Sequence, residues 1–88
     1  MNPDDTPPVD PESLYRQATE RLRHGADSEI LSELESAVAR FPGHPGLALR
    51  HADALHLEGR LAEAAGAYRR VIGLDGTCYE SWYGLGSV

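Results

Sequence analysis

Four histidines, His24, His44, His51 and His56, and one cysteine, Cys78, have the widest chemical repertoire in these 88 residues. Imidazole and thiolate serve as metal ligands, bases and nucleophiles. Spacing decides whether they cooperate. His51 and His56 are five residues apart in a helix-patterned stretch, which puts them about 140° apart around the axis. Histidines that share a zinc ion are typically four apart. His24 and His44 fall near predicted helix ends, where histidine complements the negative pole of the dipole. Cys78 stands beside Thr77 at a predicted helix start, and no histidine follows to make a nucleophile pair. It reads as inert. Glu33 and Glu35 are two apart and point in different directions. Gly84-Leu85-Gly86 lacks the third glycine and the preceding strand of a phosphate loop. We therefore expect no catalytic residue, no metal, no cofactor and no enzymatic activity. His51 falls on a core-facing position, where a single hydrogen-bond partner normally accommodates it.

Charge narrows the partners. The net charge is −6. Residues 1–12 carry four acids and no base, while residues 13–88 carry ten acids and eight arginines, with no lysine anywhere. A nucleic-acid binder needs a basic stripe to displace counterions, so nucleic acid is not an expected partner. No apolar run approaches the roughly 20 residues that span a bilayer, and no secretory signal pattern opens the chain. We expect no membrane association and a cytoplasmic location. The arginine-only, Ala- and Gly-rich composition fits the coding bias of a GC-rich bacterial genome.

Residues 1–10, with Pro3, Pro7 and Pro8 among acids, read as a disordered or extended arm. Five helices are predicted after it. The first opens at Asp10-Pro11-Glu12 as cap, first position and dipole-matched acid. It carries Leu14, Ala18 and Leu22 and stops at Gly25. Asp27 caps the second, whose stripe is Ile30, Leu31, Leu34, Ala37, Val38 and Phe41, with Pro42 as its stop. The third runs from Pro45 to about Glu58 and buries Ala48, Ala52 and Leu55. Gly59 follows, then a fourth helix through Leu61, Ala64, Ala65, Tyr68, Val71 and Ile72. Gly66 inside it invites a close helix crossing. Thr77 and Glu80 form a capping box for the fifth.

Gly25 and Gly59 are 34 residues apart, and the offset recurs at Ala18/Ala52/Gly86, Leu34/Tyr68, Ala37/Val71 and Val38/Ile72. A constant period without insertions indicates one unit used repeatedly. Trp82-Tyr83-Gly84-Leu85-Gly86, and Gly59-Arg60-Leu61-Ala62-Glu63-Ala64 followed by Tyr68, resemble the tetratricopeptide repeat. The resemblance covers residues 11–88, as repeats over about 11–44 and 45–78 and a partial third over 79–88. The first repeat departs most, with Leu14 in the tryptophan slot and Arg21 in an aromatic one, as in a terminal capping repeat.

The resemblance implies an all-α fold of antiparallel helix–turn–helix repeats, stacked as a short right-handed solenoid. It also implies a protein-binding scaffold, with a concave groove lined by the first helix of each repeat. Register places Tyr15, Thr19, Leu22 and Arg23, then Leu49, Arg50, Asp53, His56 and Leu57, then Glu80, Tyr83 and Ser87 in that groove. Tyr15, Leu49 and Tyr83 would be apolar anchors, and Arg50, Asp53 and His56 would orient the partner. The family's clamp for a C-terminal carboxylate is not implied, because Arg50 alone fits it and Glu80 opposes it. Trp82, Leu85 and Val88 form a second expected docking surface at the unfinished repeat, suited to a homodimer. Two alternatives stand beside the adaptor reading. One is an N-terminal docking module of a longer, enzymatic polypeptide. The other is a self-associating structural protein.

Overall fold

Capping chemistry sets the start of each of the first three helices. The computed structural model describes residues 10–77 and 79–87. Helix α1 spans Pro11–Leu22, and Asp10 caps it by accepting from the Ser13 amide at 2.7 Å. Helix α2 spans Ser28–Arg40, with Asp27 accepting from the Ile30 amide at 2.9 Å. Helix α3 spans Pro45–Leu57. Its cap is His44, whose Nδ1 accepts from the Leu47 amide at 3.1 Å. His44 thus sits at the positive pole of a helix, not at the negative pole expected from sequence. Because Nδ1 accepts, the ring proton lies on Nε2, which donates to Glu12 at 2.9 Å and ties α3 to the first turn of α1.

Helix α4 spans Leu61–Leu74 and α5 spans Tyr79–Ser87. Thr77 donates both its amide and its hydroxyl to Asp75 Oδ1, so the hydroxyl expected to cap α5 is turned back toward the preceding turn. Of the expected arm over residues 1–10, residues 1–9 lie outside the described residues, as does Cys78, and Asp10 is the cap of α1. The described residues are otherwise helix and turn, with no strand among them.

Gly59 ends α3 at φ +79°. Its amide donates to His56 O and the Arg60 amide donates to Leu55 O. That pair of bonds is the Schellman closure, which needs a left-handed residue and favours glycine. Gly25, 34 residues earlier, also has positive φ, at +106°.

Helix α3 is the centre of the molecule and packs on α1, α2 and α4, while α4 also packs on α5. At several pairs of the 34-residue offset both members are buried. Leu34 and Tyr68 are both buried, as are Ala37 and Val71, Ile30 and Ala64, Ala18 and Ala52, and Leu47 and Ser81. Other pairs differ: Glu20 is exposed and Ala54 buried, Val38 is buried and Ile72 half-buried, and in α5 Trp82 is 54 % exposed although Ala48, one period earlier, is buried. Gly86 is exposed although Ala52 is buried. Helix α3, whose Ala48 and Ala52 share one face, packs on three helices, and α5 has α4 alone among the described helices with substantial packing against it.

Candidate partner-binding face

A hydrogen-bonded row joins α1, α3 and α4. Arg50 on α3 donates through Nε to Thr19 Oγ1 at 2.9 Å, and through its two terminal nitrogens to Asp53 Oδ2 at 2.7 Å and Tyr15 Oη at 3.0 Å. Its guanidinium also lies over the Tyr15 ring, 5.1 Å from the centroid. Thr19 donates in turn to the Tyr15 carbonyl at 2.8 Å. Asp53 accepts on its other oxygen from the Tyr68 hydroxyl at 2.6 Å. The Arg50 side chain is only 16 % exposed, and Glu80 of α5 reaches within 4.0 Å of it.

The row is electrostatically self-consistent. Burial works against the Arg50 charge, but hydrogen bonds to Asp53 and Tyr15 outweigh it and strengthen its hold on the proton. Burial also opposes ionisation of the Tyr68 hydroxyl, and the Asp53 carboxylate adds to this, so the phenol stays protonated and donates. Arg50, expected to orient a partner, donates to Thr19, Asp53 and Tyr15, so it orders the face itself.

Two clefts flank Asp53 and His56, which line both. The first, about 320 Å³, lies between α1 and α3 and is walled by Thr19, Leu22, Arg23 and Leu57. The second, about 310 Å³, lies toward α5 and is walled by Tyr68, Tyr79, Glu80, Tyr83 and Gly84. The structure therefore brings together nearly all of the residues expected in the groove. Leu57 is 59 % exposed and Tyr83 79 % exposed. His56 meets the Tyr68 ring edge-on, with centroids 6.4 Å apart and planes at 83°.

Leu49 is the correction. It is 5 % exposed and belongs to the core, so it offers no anchor to a partner. Leu49→Glu would bury a charge and test folding rather than binding. Tyr68 and Tyr79 were not predicted as part of the face. A tyrosine at 68 in an otherwise apolar stripe was a readable signal, because a buried phenol needs a hydrogen-bond partner. Gly84 had no such signal. A Cβ built there would lie 2.5 Å from the Tyr68 ring, so glycine is what lets α5 approach that ring.

At the second expected surface, Trp82 is exposed and donates its indole N–H to Gly76 O at 3.1 Å. Leu85 packs against the core, and Val88 lies outside the described residues. A third cleft of about 290 Å³ was not anticipated. It runs between α1 and α2 over Leu14, Ala18, Ile30 and Leu34, with Arg21 and Arg40 at its rim. No group of three or more His, Cys, Asp or Glu among the described residues is placed to hold a metal ion. No helix among them is long and apolar enough to cross a membrane. No family model matches the chain, and no curated protein or solved structure matches it either.

Proposed function

We propose that this chain is a tetratricopeptide-like interaction module, a short right-handed stack of helical repeats that holds an extended segment of another protein along α1, α3 and α5. The observation that carries the reading is the Tyr15–Arg50–Asp53–Tyr68 row. Its side chains come from three helices and are locked to one another. A preordered face loses little side-chain entropy when a ligand arrives. The clefts on either side of Asp53 supply depth, and Leu22, Leu57, Tyr79 and Tyr83 supply apolar contact. The recurrence of burial at an offset of 34, and of positive φ at Gly25 and Gly59, supports the repeat architecture.

The test is selection of extended peptides from a displayed library on the wild-type protein, followed by Leu57→Glu. Leu57 is exposed, so the substitution changes the face and spares the core. Loss of binding with unchanged helicity supports the groove. Undiminished binding contradicts it.

A second reading has its own observation. Leu74, Tyr79 and Trp82 expose large apolar area around α5. Apolar residues gathered at one end favour docking of another helix there, from the same polypeptide or a second copy.

A further inference from the structure

The cleft beside α5 has a composition that selects for charge. Its walls carry two carboxylates, Asp53 and Glu80, and no arginine. Its aromatic groups are Tyr79 and Tyr83, which are exposed, the buried Tyr68 and the His56 imidazole. Tyr79 and Tyr83 are four residues apart on one helix and therefore share a face. They are 77 % and 79 % exposed. The nearest cation to these carboxylates is Arg50. Its Nη1 bonds Asp53 at 2.7 Å and comes within 4.0 Å of Glu80, while its other nitrogens bond Thr19 and Tyr15 of α1, so one cation serves both carboxylates. Arg50, Asp53 and Glu80 together leave one uncompensated negative charge. Tyrosine faces attract cations through the ring quadrupole. Carboxylates beside such faces complete the recognition of a guanidinium or ammonium.

Resting on the groove reading above, we propose that the α3–α5 cleft is a pocket for a cationic side chain of the bound peptide. Arginine is favoured over lysine. Its planar guanidinium stacks on tyrosine while its N–H fork reaches a carboxylate. An acidic side chain meets two carboxylates here. The pocket thus has the opposite charge preference to a clamp for a C-terminal carboxylate.

The experiment uses the full chain and four synthetic nonapeptides, identical except for Arg, Lys, Glu or Leu at the centre. Amide shifts are followed by two-dimensional NMR at low and moderate salt. The Arg peptide, and more weakly the Lys peptide, are expected to shift His56, Tyr79, Glu80 and Tyr83. Their affinity should fall as salt rises. Glu80→Gln and Tyr83→Ala, both at exposed positions, should each weaken the Arg peptide roughly three- to fivefold, with circular dichroism unchanged. The Glu peptide should leave these residues unshifted. Equal binding of the Leu or Glu peptide, or indifference of the Arg peptide to Glu80→Gln, would overturn the pocket. If such binding still shifts Thr19, Leu22 and Leu57, the groove stands and only the cation pocket falls. If no peptide shifts either cleft, both readings fall.

Discussion

Arg50 shows how one side chain both folds and equips a surface. Its bonds to Thr19, Asp53 and Tyr15 cross between α1 and α3. Truncation would leave the part-buried Asp53 carboxylate with the Tyr68 hydroxyl as its remaining hydrogen-bond donor. Arg50→Ala is therefore expected to cost about 2–3 kcal/mol in urea unfolding. Arg50→Lys should recover less than half of that, because an ammonium cannot serve the three partners from one plane. A loss below about 0.5 kcal/mol would mean the row is surface decoration.

His51 carries a different consequence. Its Nε2 is buried and meets no hydrogen-bond partner among the described residues. Burial lowers its pKa from the ordinary 6.5, with Arg70 and Arg60 adding to this, and Glu35 and Glu63 opposing it. The unfolded chain then binds the proton more tightly than the folded one. The contribution is fully favourable above pH 6.5 and is lost as pH falls through that value toward the lowered one. Melting temperature should fall more between pH 7.5 and pH 5 in the wild type than in His51→Gln. Equal losses would remove His51 from the account.

Among the elements, glycine has opposite meanings at two places. In α4, Gly66 has no heavy atom near the position of a Cβ, so it does not mark the close crossing expected from sequence. The close crossing is at Gly84, against Tyr68. Gly66→Ala should stabilise by about 0.5–1 kcal/mol through helix propensity. Gly84→Ala should destabilise by about 1–3 kcal/mol, because the added methyl must push α5 off a buried ring. Thermal melts of the two variants should move in opposite directions. Movement in the same direction would show that α5 does not seat on Tyr68.

The same pair explains what the sequence could reveal. Caps and turn glycines act within a few residues, so Asp10, Asp27, Gly25 and Gly59 were legible. Gly84 depends on an aromatic ring sixteen positions away, and Asp53 on a hydroxyl fifteen positions away. Both depend on how helices cross, which no local pattern states. Leu49 failed for a related reason. Helical register put it on a face with Asp53, but α3 is packed from several sides, so the exposed arc is narrower than the wheel implies.

For the whole molecule, burial recurs at several pairs of the period of 34 and departs from it at others, Trp82 and Gly86 of α5 among them. Chain order alone places α1, α3 and α5 as alternate helices, and Arg50 and Asp53 join the proposed binding face by bridging their neighbours. The proposed face combines a cleft beside α1, where Leu22 and Leu57 stand among Thr19, Arg23 and Arg50, with a tyrosine-rich cleft beside α5 that carries Asp53 and Glu80. A ligand that used both would lie across α3. The most direct test is chemical-shift mapping of a library-selected peptide on the intact chain. The account predicts that the largest changes fall together on Thr19, Leu22, Asp53, His56, Leu57 and Tyr83, and that Leu57→Glu abolishes them. Changes confined to Leu74 and Trp82, or to the cleft between α1 and α2, would contradict it.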